Sequence, residues 1–165
     1  MEGTEILARL TERFGAGVLA THAEHGDHTL LVGREALPEV LRFCRDDAAL
    51  RFDMLMDLTA VDYLTFAGRD DVSRFEVVYH LYSVPHNHRV RIKAAIDEDD
   101  PVVPTAVPLW PIANWLEREV WDMFGLRFAE HPDLRRLLLY EEFEGHPLRK
   151  DYPVSRRQPL IGPRN

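Results

Sequence analysis

Histidines stand at positions 22, 25 and 28, and a second set, His80, His86 and His88, flanks a later turn, so imidazole ligation of zinc is the first chemistry to weigh. The first set lies on a polar, glycine-containing loop without a carboxylate–histidine arrangement. The second has no acidic or cysteine ligand at its turn. Solvated histidines are the simpler reading of both. Asp57 and Asp62 are five apart and point to opposite faces of a regular strand, which argues against an acid–base pair made by these two alone. The single cysteine, Cys44, falls at helical spacing with Leu37, Val40 and Leu41. It excludes an internal disulfide and reads as a small core residue. Glu119 lies four residues from both Trp115 and Met123, inside an apolar stripe of Ile112, Trp115, Leu116, Val120 and Met123. A carboxylate there must meet an Arg, a hydroxyl or backbone N–H groups, so a structural ion pair is expected, with Glu119→Ala costing about 3 to 5 kcal/mol. Arg118 and Asp122, four apart, are expected nearer the surface or at a contact between subunits. No glycine-rich phosphate loop, nucleotide fingerprint or nucleophile elbow occurs. What catalysis remains is a metallo-hydrolase or lyase using histidines with Asp62, Glu119 or Asp133, and that reading requires bound metal.

These side chains have to be positioned by a chain of 165 residues, 45% of them hydrophobic, which is enough for one domain with a buried core. Thr4 can cap a helix carrying Ile6, Leu7, Leu10 and Phe14, ended by Gly15. Two β-prone runs, 18–21 and 29–32, read as a hairpin, and a second helix follows over 35–45. Residues 52–63 read as a central strand, apolar on both faces, with a turn at 67–71. Phe75 to Tyr82 alternate into the next strand. Val90, Ile92, Ala94 and Ile96 then face inward while Arg89, Arg91 and Lys93 face out. Pro101, Pro104, Pro108 and Pro111 stiffen a crossing to a helix over 111–124, with Pro111 at its first turn and Gly125 just past its end. Leu137-Leu138-Leu139 can add a strand or a short buried segment. The fold class is α+β, a two-layer domain over 1–139 with a mainly antiparallel or mixed sheet. Residues 140–165 form an extended tail, with apolar groups including Phe143, Val154, Leu160 and Ile161 that suit a partner surface. Cutting the tail off is expected to leave the domain folded. Residues 1–130 hold 13 basic and 23 acidic groups, and 131–165 hold 7 and 5, a balance that disfavours nucleic acid. No apolar run approaches the roughly 20 residues of a membrane span, and no signal peptide opens the chain.

One stretch goes further. Glu117-Arg118-Glu119, then Asp122-Met123-Phe124, His131, Arg135 and Leu137-Leu138, at these spacings, resembles the signature of the 30 kDa subunit family of respiratory complex I, the C subunit of bacterial NADH-quinone oxidoreductase. Gly145-His146-Pro147-Leu148-Arg149-Lys150-Asp151-Tyr152-Pro153 is similar to that family's C-terminal run, and Asp62-Tyr63 to another recurring feature. The resemblance implies a non-catalytic subunit of the hydrophilic arm of a proton-translocating enzyme. It would bind no flavin or iron–sulfur cluster itself, those residing in companion subunits, and would dock against the large quinone-site subunit. Membrane association would be indirect, on the cytoplasmic face of the bacterial inner membrane. The signature residues are then docking residues, and Leu148 to Tyr152 contact a partner through the tail. The equivalent subunit of a related membrane-bound hydrogenase or ferredoxin-linked complex is the alternative.

Overall fold

The cleanest alternation in the sequence becomes β5 (His88–Ile96), the middle strand of a five-stranded sheet. A computed structural model describes residues 1–67, 73–159 and 161. The turn expected at 67–71 therefore lies, beyond its first residue, outside the described residues, as does Leu160. The other strands are β1 (Val18–His22), β2 (Thr29–Gly33), β3 (Met54–Asp62) and β4 (Phe75–Ser83), in the order β1-β2-β5-β4-β3. Every pairing is antiparallel except β2 with β5, so the sheet is mixed. Val77, Tyr79 and Leu81 stand opposite Ala94, Ile92 and Val90 and make one apolar face. Helices α1 (Gly3–Phe14), α2 (Leu37–Asp46) and α3 (Ala113–Phe124) join that face in a single buried cluster. The opposite face carries charge pairs instead, Lys93 with Glu76 at 2.9 Å and Arg91 with Asp27 at 2.7 Å, which gives the expected two layers.

Three local readings change. β3 is an edge strand, not a central one. Its inner residues Leu55, Leu58 and Ala60 are buried in the core, and α3 packs on this strand, while Met54 and Met56 are simply exposed. The first helix begins at Gly3, and Glu2 rather than Thr4 caps it, its N–H donating to the Glu5 carboxylate at 3.0 Å. Leu137-Leu138-Leu139 is no strand; instead β6 (Val102–Pro104) and β7 (Arg127–Ala129) pair in parallel as a separate two-stranded sheet. That small sheet ties the proline-rich crossing to the chain leaving α3. The crossing is also pinned by Trp110, whose ring N–H donates to the Phe52 carbonyl at 3.1 Å.

Candidate docking site

Helix α3 ends where Gly125 takes a left-handed φ of 76°, and any side chain there would meet the His146 ring, 2.6 Å from an ideal Cβ. Both constraints require glycine. Upstream, the helix turns its faces otherwise than its apolar residues suggest. Ile112 and Trp115 are 50% and 55% exposed and Glu119 is exposed, whereas Glu117, Arg118 and Asp122 are buried. The expected buried pair at Glu119 is therefore corrected: the buried carboxylate is Glu117, two residues earlier and on the other side of the helix. Arg118 and Asp122 are likewise not surface groups. Glu119→Ala should then change stability by no more than about 0.5 kcal/mol in a denaturant titration.

Each buried charge is met by backbone from an irregular segment. The Arg118 guanidinium donates to the carbonyls of Arg135 and Arg136, both at 3.1 Å, and stacks on the Trp115 ring 5.0 Å away. One oxygen of Asp122 accepts the consecutive N–H groups of Leu137, Leu138 and Leu139 at 3.0, 2.8 and 3.0 Å; the other accepts Arg136 at 2.7 Å. Burial pushes the Asp122 carboxyl up, but these N–H groups and the Arg136 guanidinium outweigh it and hold the group below the usual carboxylate range. Glu117 accepts the Thr105 hydroxyl and the Ala106 N–H, both at 2.6 Å. His131 supports the same corner: its Nδ1 accepts the Asp133 N–H at 3.0 Å, so its Nε2 carries the proton donated to the Asn114 carbonyl at 3.1 Å.

The stretch after Tyr140 is not the extended tail expected but a succession of turns, in which the N–H groups of Phe143, Arg149, Tyr152 and Arg156 donate to the carbonyls of Tyr140, His146, Arg149 and Pro153, and it is clamped along the domain. Arg136 also donates to the carbonyls of Phe143 and Gly145, His146 Nδ1 donates to the Asp122 carbonyl, and the Leu148 N–H donates to the Met123 carbonyl. Further along, Asp62 at the end of β3 accepts the Lys150 N–H at 2.8 Å together with Arg74 and the Leu64 N–H. Arg74 in turn pairs with Asp151 at 3.0 Å and with Glu98. Arg74 and Arg149 each lie over the Phe75 ring, at 4.8 and 5.1 Å. Leu148 is half exposed and Val154 fully so.

Residues 30–158 match the family described as respiratory-chain NADH dehydrogenase, 30 kDa subunit. The chain belongs to this family. An NADH-quinone oxidoreductase C subunit from Citrifermentans bemidjiense is 45% identical over 163 residues, covering 98% of this chain and 97% of its own. One from Caulobacter vibrioides is 46% identical over 153 residues, 93% of this chain and 72% of its own. A solved trypsin-resistant fragment of Nqo5 superposes with a TM-score of 0.71 at 33% identity, covering 81% of this chain and 100% of the fragment. A chain of the archaeal membrane-bound sulfane sulfur reductase shares the fold, with a TM-score of 0.74 at 24% identity over 94% of this chain and 88% of its own.

Within the family's signature, then, Glu117, Arg118, Asp122 and His131 are brought together as struts, while Glu119, Arg135 and Leu138 face outward, as does Trp115 on the same helix. Thr105, Ala106, Arg74 and Arg136 complete the site and were not singled out by pattern. Only the acceptor that Asp62 offers had a sequence signal, its likeness to a family feature. The histidines are used elsewhere: His86 and His88 bond the carbonyls of Ala48 and Leu50. Among the described residues no group of three or more His, Cys, Asp and Glu is placed to share a metal ion.

Proposed function

We propose that this chain is a non-catalytic structural subunit of the hydrophilic arm of a proton-translocating NADH:quinone oxidoreductase. The observation that carries the reading is the family match together with what the signature charges do: Glu117, Arg118 and Asp122 are engaged in internal hydrogen bonds that fix one helix to two irregular segments. Residues used this way shape a surface rather than a reaction centre. Flavin, iron–sulfur clusters and the NADH site belong to companion subunits in this reading. Among the described residues no helix is long and apolar enough to cross a membrane, which fits attachment through partners on the cytoplasmic face of the bacterial inner membrane. The partner is the large quinone-site subunit, met by the outward signature residues Glu119, Arg135 and Leu138, by Trp115 beside them on α3, and by the clamped run Leu148 to Tyr152. Trp115 is the anchor, because an aromatic side chain held by a buried arginine enters an interface already ordered.

A tagged copy recovered from the native membrane should bring down the flavin and iron–sulfur subunits and the quinone-site subunit. Recovery alone, or with hydrogenase subunits, would overturn the assignment. Trp115→Ala should keep the unfolding midpoint within about 1 kcal/mol of wild type, yet weaken incorporation by more than about 2 kcal/mol, roughly thirtyfold, on native gels. Normal incorporation would remove Trp115 from the interface.

A further inference from the structure

The carboxyl of Glu117 lies on the side of α3 away from Trp115 and takes no part in the outward face. Every element around it contributes a named group. The crossing gives the Thr105 hydroxyl and the Ala106 N–H. Strand β4 gives Tyr79, fully buried, whose hydroxyl has no hydrogen-bond partner among the described residues. The segment after β7 gives His131, its Nε2 4.0 Å from the carboxylate and engaged with Asn114. On α3 itself Arg118 is turned away to the carbonyls of 135 and 136. Among the described residues no Lys or Arg pairs with Glu117. Thr105 also lines a groove of about 390 Å³ with Pro104, Pro108 and Glu130, so the residue that hydrogen-bonds the carboxyl also borders this groove.

We propose that Glu117 is a proton-binding site of the folded chain, and that its protonation state sets how tightly the crossing at Thr105 and Ala106 is held to α3. When ionised, Glu117 accepts two charge-assisted hydrogen bonds across that junction. When neutral, it carries a proton that needs an acceptor. The candidates are the Thr105 and Tyr79 hydroxyl oxygens, so Thr105 must turn from donor to acceptor or Tyr79 must be recruited. Either change rearranges the bonds that tie the crossing to the helix. Burial, opposed by Thr105 and Ala106, pushes the carboxyl up to about 7 from 4.5. A folded-state value above the unfolded one means the native chain binds the proton more tightly. Its contribution to stability is therefore full below about pH 4.5 and is lost as pH rises to about 7.

The full-length chain, labelled with ¹³C at glutamate carboxyls, is titrated by NMR from about pH 4 to about pH 9. One glutamate carboxyl should titrate near 7, and the Ala106 amide should follow the same midpoint. Glu117→Gln should remove that titration. Thr105→Val, which deletes a donor to the ionised form, should raise the midpoint further. A Glu117 midpoint below about 5, or an Ala106 amide that ignores it, would overturn the proposal. If Glu117→Gln does not fold, the wild-type and Thr105→Val titrations still decide.

Discussion

Asp122→Ala should lower the unfolding free energy by about 3 to 5 kcal/mol, read as a shift of the denaturant midpoint at an unchanged slope. The carboxylate is fully buried and satisfies three successive N–H groups and one guanidinium at once. Its removal leaves Arg136 partly buried without its countercharge and strands the donors of 137–139. Asp122→Asn separates charge from shape, since the amide can accept from only one side and must point its NH2 at groups that are themselves donors. It should also change the acid limb of the stability curve. A carboxyl held below its ordinary 3.8 in the folded chain contributes stability that is present above that value and lost as pH falls through the folded one. The asparagine variant should therefore lose less stability on acidification than wild type. Equal acid limbs would show that Asp122 does not govern this transition.

Ending the chain after Tyr140 should cost about 4 kcal/mol or more, an outcome opposite to the one the sequence suggests. Pattern alone places every periodic element before Tyr140 and makes the remainder dispensable. The structure shows what the remainder closes: Arg136 loses two carbonyl acceptors, Asp62 loses the Lys150 N–H, Arg74 loses Asp151, and the Met123 and Asp122 carbonyls at the end of α3 lose Leu148 and His146. Hydrogen bonds to charged groups contribute about 1.5 to 3 kcal/mol each, and the losses at Arg136, Asp62 and Arg74 each leave an ion short of a partner. Thermal unfolding of the truncated and full chains by circular dichroism measures the difference. A midpoint within a degree or two of full length would mean that water replaces these contacts without loss.

The misplaced face of α3 and the missed β6–β7 pairing have a common physical origin. β5 was legible because alternation reports burial directly, and the end of α3 was legible because Pro111 and Gly125 act through their own backbone preferences. The face of α3 was not legible. Its orientation is decided by hydrogen bonds to Thr105, Ala106 and residues 135–139, between 11 and 18 positions away, and a hydrophobic pattern carries no record of such partners. Counting apolar residues puts Trp115 and Glu119 inside, and both assignments invert once the charges are satisfied by backbone. The β6–β7 pairing escaped for a related reason: three-residue strands are too short to show a period. The signature residues themselves were found by likeness, which gave their positions but not which of them point inward.

The convergence of three consecutive amides on one Asp122 oxygen also bears on solubility. In an extended strand successive N–H groups point to opposite sides, so a chain bent to aim three of them at one atom cannot present itself as a strand edge. The segment bent in this way is Leu137-Leu138-Leu139, uncharged and the most apolar run of the signature, with Leu138 62% exposed. Left straight, such a run is a template for another copy to add its own backbone. Asp122 thus withholds, from inside the fold, the donors that intermolecular pairing needs, while the Leu138 side chain stays on the surface.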